Sequence, residues 1–258
     1  MTLRLLQLTD LHLFEDPDGE LKGIPTARTL ADVLAHIDAN EAPFDHLVIT
    51  GDHTHDELEP TYRRIRTIVE PWLDRLYIVP GNHDDRGLLR SVFPELTSGD
   101  GRLTFRFEAG GWLFLGLDSH LVGEVHGELG AEQLNWFEQQ LSQACGPVGV
   151  FLHHPPCSVN STWMDSISLS DEAAVRQLIS QNPVIRFVCC GHVHHEFAGK
   201  IAETAVFTTP STGIQFDPNG DEPTFAATAP GYRVFEFDGP EFRTHVVKLP
   251  EVRFVPNV

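Results

Sequence analysis

The 258-residue chain is at the upper end of single-domain size, and its 41% hydrophobic and 21% charged residues are ordinary for a globular protein with a sizeable core. Its net charge of −19, from 18 basic and 37 acidic residues, repels polyanions and argues against nucleic acid or an anionic membrane as partner. No apolar run approaches the roughly 18 residues that span a bilayer, and the start, MTLRLLQLTD, lacks the apolar length and cleavage site of a signal peptide, so a cytoplasmic location is expected.

Strand-like and helix-like segments alternate. Leu3 to Leu8 reads as a buried strand, and Leu30, Val33, Leu34 and Ile37 have the i, i+3, i+4, i+7 spacing of an amphipathic helix. LVIT (47–50) is a short strand running into Gly51, Leu58, Tyr62, Ile65 and Val69 mark a helix, and LYIVP (76–80) is a strand that also ends at a glycine. LTFRF (103–107) and WLFLGLD (112–118) form a strand pair about a turn at Ala109 to Gly111. Leu134, Phe137 and Leu141 mark a helix, VGVFLH (148–153) a strand, Glu172 to Ile179 a helix and VIRFVCC (184–190) a strand. The tail, with AVFTT, YRVFEF and FRTHVVKL, reads as consecutive strands. Asp16 to Pro25 and Pro210 to Pro230 are loop-like, and neither separates two cores. The pattern is α/β with strands in two groups, in a single domain spanning 1–258.

Polar residues gather where strands end. Asp10 and His12 follow the first strand, Asp52 follows LVIT, and Asn82, His83 and Asp84 follow LYIVP. His153 and His154 follow VGVF, and His192 and His194 follow VIRFVCC. Ligands of open α/β sheets bind beyond the carboxyl ends of strands, so these groups can converge. Asp10, His12, Asp52, Asn82, His153, His192 and His194 are too many ligands for one ion and suit two, and mixed carboxylate–imidazole sets favour Mn, Fe, Co or Zn over calcium. D-x-H and H-x-H would send both side chains the same way from an extended segment. Glycines 51, 81 and 191 permit tight turns and close approach. Each motif alone is weak, since GD or HH occurs often by chance. All five together, each directly after an apolar strand, are not explained by chance.

Four cysteines, at 145, 157, 189 and 190, show no CxxC spacing and are expected to be reduced. FVCCGHVHHE (187–196) has the look of a zinc knot, but Cys189 and Cys190 continue the apolar run from Val184 and read as buried strand residues. His53 and His55, in GDHTHDE, read as polar residues of a loop entering a helix, and His195 receives no role.

The series D-x-H, G-D, G-N-H-D, H, G-H-x-H resembles the calcineurin-like metallophosphoesterases. LTDLHLF, PFDHLVITGD, VPGNHD, VHGELGAEQLNWFEQQL, FLHHPP, CCGHVHHE, TPSTGIQF and APGYR extend the likeness to bacterial class III 3′,5′-cyclic nucleotide phosphodiesterases over nearly the whole chain. The resemblance implies a four-layer sandwich of two facing mixed β-sheets flanked by helices, with a dinuclear metal centre at the sheet ends. It implies one metal on Asp10, His12, Asp52 and His194 and a second on Asp52, Asn82, His153 and His192, with Asp52 bridging. His153 is chosen over His154 because Pro155 fixes a His-x-Pro register. The cofactor is then a pair of metal ions, Fe or Mn foremost, with Zn or Co compatible. The resemblance further implies a small phosphodiester substrate, 3′,5′-cyclic AMP or cyclic GMP, which a hydroxide shared between the metals would open to the 5′-nucleotide. His83 would reach the phosphate or leaving oxygen, oriented by Asp84, and Asn82, His83, His154 and His194 would face the substrate.

Related diesters (glycerophosphodiesters, phospholipid headgroups, nucleotides) fit the same motifs, because loops rather than metal ligands select substrates. A nuclease is disfavoured by the acidic surface, and a non-catalytic scaffold would be expected to have lost ligands. The oligomeric state is left open.

Overall fold

The computed structural model describes residues 2–96 and 101–257. Two mixed sheets face each other. The first has five strands in the order Glu241–Lys248, Gly231–Asp238, Leu3–Leu8, His46–Thr50, Leu76–Val79. The second has six: Phe197–Ile201, Thr204–Thr208, Ile185–Cys190, Val148–Leu152, Trp112–Leu117, Phe105–Ala109. In the first, Leu3–Leu8, His46–Thr50 and Leu76–Val79 run parallel, and Gly231–Asp238 and Glu241–Lys248 add antiparallel pairings on one side; in the second, four central parallel strands are flanked by an antiparallel strand at each edge.

Side chains obey the two-residue period of a strand. Leu5 faces the layer between the sheets, whereas Leu6 and Leu8 face the helices outside. Phe187 and Cys189 point inward, and Val188 and Cys190 outward. The inner layer is largely aromatic: Phe235 and Phe237 from the first sheet meet Trp112, Phe114, Phe151 and Phe187 from the second. Helices Thr26–Asn40 and Glu59–Val69 cover the first sheet, and Gly130–Ser142 and Glu172–Gln181 the second. This is the four-layer α/β sandwich expected from the sequence.

Some elements differ from expectation. The tail strands divide between the sheets: Thr204–Thr208 joins the second, while Gly231–Asp238 and Glu241–Lys248 pair with each other and complete the first. Phe197–Ile201, sequence FAGKI, lacks an apolar alternation and was not foreseen as a strand. Helix Arg86–Val92 also escapes periodicity, but it is capped by Asp85, whose side chain accepts from Leu88 N at 2.8 Å. Each loop-like stretch carries a two-stranded ribbon, Glu20–Leu21 with Ile24–Pro25 and Gln215–Phe216 with Phe225–Ala226. The turn at Gly110 and Gly111 is as expected, with φ of 57° and 82°. No helix among the described residues is long and apolar enough to cross a membrane.

Parallel pairing places the carboxyl ends of the central strands of each sheet at one end. Buried Gln7 ties the two sheets together there. Its Nε2 donates to Thr50 Oγ1 at 2.7 Å and to the Cys190 carbonyl at 3.3 Å, and its Oε1 accepts from Thr209 Oγ1.

Candidate metal centre and active site

The loops leaving these strand ends are laced by main-chain bonds. Asp10 N donates to the Gly51 carbonyl at 3.1 Å, His12 N to the Asp52 carbonyl at 2.9 Å, and Gly191 N to the His153 carbonyl at 3.1 Å. His192 N donates to Asp10 Oδ2 at 3.1 Å, linking loops of the two sheets. The glycines are needed for contact. A Cβ on Gly81 would lie 2.1 Å from Asp52 Oδ1, and one on Gly191 would lie 2.0 Å from Thr9 Oγ1.

Asp10, His12, Asp52 and His194 bring one ligand atom each within 4.8 Å of the others, and all are buried. His12 Nε2 and His194 Nε2 are 3.2 Å apart, and His194 Nε2 is 3.2 Å from Asp10 Oδ1. Asp52 looks both ways: Oδ2 lies 3.4 Å from His12 Nε2 and Oδ1 lies 3.5 Å from His153 Nε2. Asn82 Oδ1 joins the second group, 3.2 Å from His153 Nε2 and 3.1 Å from His192 Nδ1.

This donor set fits cations. His194 Nδ1 is 2.9 Å from the Ile214 carbonyl and His153 Nδ1 is 2.8 Å from the Thr50 carbonyl. A carbonyl only accepts, so each Nδ1 carries the proton. That leaves the His194 Nε2 lone pair directed among carboxylate oxygens and a second imidazole, a buried repulsion that a cation relieves. His192 Nε2 is buried without a hydrogen-bond partner among the described residues. Burial alone would lower the His153 imidazole, but the Asp52 carboxylate raises it to about 9. Burial opposes the charge of Asp52 as well, yet His153, His83 and His12 hold its carboxyl well below the usual range. Burial, joined by His194, His83 and His55, keeps His12 neutral despite Asp52.

The backbone at these positions is not extended, contrary to the side-by-side geometry expected of D-x-H and H-x-H. Asp10, His12, Asp52, His192 and His194 all have positive φ, between 45° and 70°. Non-glycine residues in this left-handed region cost about 1–2 kcal/mol each. The donors converge because the chain coils at each strand end.

The sequence model for calcineurin-like phosphoesterases matches residues 3–196. The chain belongs to the calcineurin-like phosphoesterase family. Among relatives of this phosphoesterase, the 3′,5′-cyclic adenosine monophosphate phosphodiesterase CpdA of Vibrio vulnificus is 32% identical over 262 residues, covering 99% of this chain and 93% of the relative. The enzyme of the same name from Pseudomonas aeruginosa is 31% identical over 252 residues, covering 97% of this chain and 91% of the relative. Curated relatives of this kind are hydrolases. A dimetal phosphatase from Danio rerio shares the fold, with a TM-score of 0.67 at 16% identity, covering 95% of this chain and 98% of that one. A purple acid phosphatase from yellow lupin does so with a TM-score of 0.68 at 12% identity, over 99% of this chain and 53% of that one.

Three further parts of the phosphoesterase site are defined by their side-chain partners. Asp84 does not orient His83. Its buried carboxylate turns the other way, accepting from Gly81 N at 2.9 Å and Tyr62 Oη at 3.1 Å and pairing with His53 Nδ1 at 2.9 Å. Burial would raise that carboxyl, but the His53 imidazole and these bonds hold it below its ordinary value. His154 lies with His153 and His192, each offering one nitrogen within 4.8 Å of the others. Its Nδ1 is 2.8 Å from Ser119 Oγ and its Nε2 3.0 Å from the Val125 carbonyl, so both nitrogens are engaged within the protein. Burial, then the neighbouring His153, lower it to about 3.

His53 and His55 lie, as expected, on the loop that enters helix Glu59–Val69, and their rings pack into the site. His53 is fully buried against Asp84, and His55 stacks on the His83 ring at 5.0 Å with its Nδ1 3.4 Å from His12 Nδ1. The alternation H-x-H after GD was the available signal. His83 itself is half-buried beside Asn82, with its main-chain N–H fixed on Asp52 Oδ1 at 2.8 Å. His195 turns away and bonds the Val193 carbonyl at 2.6 Å. Cys189 and Cys190 are buried strand residues outside the donor groups.

Proposed function

We propose that this phosphoesterase hydrolyses 3′,5′-cyclic AMP, with cyclic GMP as a second substrate, to the 5′-nucleotide. The observation that carries the reading is the convergence, through Asp52, of seven oxygen and nitrogen donors from five strand ends, six of them buried and Asn82 at the cleft. In this reading Asp10, His12, Asp52 and His194 hold one metal and Asp52, Asn82, His153 and His192 the other, with Asp52 shared. Iron and manganese are the ions proposed. The bound pair supplies charge neutralisation at the phosphate and a nucleophile at neutral pH.

The chain's own residues do the remaining work. Asn82 stands at the cleft edge, where it can orient a phosphate oxygen. No side-chain hydrogen bond among the described residues claims the His83 ring, so it is available to the phosphate or the leaving group. As water adds to phosphorus, the bond to the ribose 3′-oxygen breaks, that oxygen takes a proton from His83, and the proton the water gives up restores the His83 imidazolium. Asp84 acts at a distance by tying the loop of Asp52, through His53, to the loop of Asn82.

The whole chain, 1–258, is taken as one unit in this reading, working in the cytoplasm on a small ligand; its net charge of −19 supports neither a nucleic acid nor an anionic membrane as partner. A panel of phosphodiesters assayed with Mn- or Fe-loaded protein tests it. Cyclic AMP should be among the best substrates by kcat/KM. Preference for glycerophosphodiesters or headgroup diesters would move the function elsewhere within the family. Inactivity on every diester with metal bound would favour a binding scaffold.

A further inference from the structure

A cleft of about 250 Å³ opens directly on the donor groups, and its far wall comes from neither sheet. Trp163 and Met164 come from the short helix Thr162–Asp165, and Phe216 and Phe225 from the ribbon in the Pro210–Pro230 stretch. Trp163, Met164 and Phe216 belong to an apolar cluster separate from the three that pack sheets and helices. Phe216 lies parallel to the His194 ring, 4.0 Å between centroids at 7°, so the apolar wall begins where the donor group ends. Trp163 meets Phe216 edge-on at 5.1 Å, and Phe225 lies 5.7 Å from Phe216. Phe216 and Phe225 remain partly open to solvent.

We infer that this wall is a base subsite: it takes the flat aromatic ring of a nucleoside whose phosphate sits at Asn82 and His83. The inference rests on the cyclic-nucleotide reading above and says where that substrate's selectivity resides. A planar, uncharged ring covers aromatic faces that a glycerol group would leave wet. A quaternary ammonium headgroup is the chief competitor, because aromatic walls also bind such cations. Lys22, whose Nζ sits 5.8 Å from the Phe225 centroid on the same cleft, opposes a second positive charge there. The cleft is smaller than the roughly 300 Å³ of ordinary ligand pockets, which suits one nucleoside and not a polymer.

The test compares cyclic AMP, a base-free methyl riboside 3′,5′-cyclic phosphate and glycerophosphocholine on wild type, Trp163→Ala and Phe225→Ala, with bound metal measured on each. Wild type should prefer cyclic AMP over the base-free phosphate by at least about tenfold in kcat/KM, mainly through KM. In both variants that preference should shrink severalfold, while the base-free phosphate is cleaved as before and metal content holds. Phe225 is partly exposed, so its variant folds even if Trp163→Ala does not. Equal wild-type rates on the two cyclic phosphates, or variants that lose both equally at full metal content, overturn the subsite and leave the function standing. Cleavage of glycerophosphocholine alone overturns the function reading and the subsite with it.

Discussion

The Asp84 carboxylate pairs with the His53 imidazole at 2.9 Å, with both side chains fully buried, so two loops that carry proposed metal ligands are bolted together beneath the site. His83, next to Asp84 in sequence, stands in the open cleft instead. Adjacent residues of one GNHD motif therefore serve different ends. Replacing Asp84 by Ala strands the Gly81 and His53 N–H groups and the Tyr62 hydroxyl, at a cost of about 3–5 kcal/mol. Asp84→Ala should lower the melting temperature and weaken metal retention. His83→Ala should leave stability within about 0.5 kcal/mol and metal content unchanged, but cut kcat by about 10²–10⁴. Thermal melts, metal analysis and kinetics on the two variants check this, and equal loss of stability in both would contradict it.

Gly81 offers a more local probe. An added Cβ would fall 2.1 Å from Asp52 Oδ1 and 2.5 Å from Asp52 N. Gly81→Ala must push Asp52 aside, so metal affinity should fall at least tenfold with a stability loss of about 1–3 kcal/mol. Gly111→Ala, at the hairpin turn where a Cβ meets nothing within 4 Å, is the control. Its left-handed φ of 82° should cost about 1 kcal/mol and leave metal affinity untouched. Titration of apo protein with Mn, followed by calorimetry, separates the two.

The alternation of strands and helices and the convergence of the donors were legible in the residues, as apolar runs each ending in a glycine or a polar donor, whereas the facing-sheet sandwich was legible only through the family resemblance. Phe197–Ile201 was invisible because in FAGKI the inward face is Phe197, Gly199 and Ile201, so a glycine interrupts the apolar stripe. The partner of Asp84 was invisible for a different reason. Nothing in GNHD says that Asp84 turns inward, since that depends on His53, 31 residues away, and on the coil of the backbone at Asp52. The aromatic cleft wall was likewise hidden: Phe216 and Phe225 lie in the stretch read as a loop, and Trp163 in a four-residue helix too short to show a period.

The thiols supply an independent check. Cys145 is exposed, and Cys157, Cys189 and Cys190 are buried. Burial raises Cys157 and Cys189 to about 11 and Cys190 well above its ordinary value, so all three are protonated thiols at pH 8. Ellman's reagent should therefore titrate one thiol of the native protein quickly and all four after unfolding. The double variant Cys189→Ala/Cys190→Ala should lose stability through two small cavities but keep its metal. Loss of metal from a folded double variant would restore the zinc-knot reading of FVCCGHVHHE.

The most direct test of the central claim is metal content and cyclic AMP hydrolysis measured together on wild type and Asp52→Asn. Asn tolerates the positive φ of 51° at this position better than most residues, so the exchange removes the bridging charge with little backbone cost. Wild type should bind about two metal ions per chain, as a shared phosphate clamp requires, and Asp52→Asn should retain fewer than one and lose hydrolysis in proportion. A folded Asp52→Asn protein that keeps both metals and its activity would contradict the account.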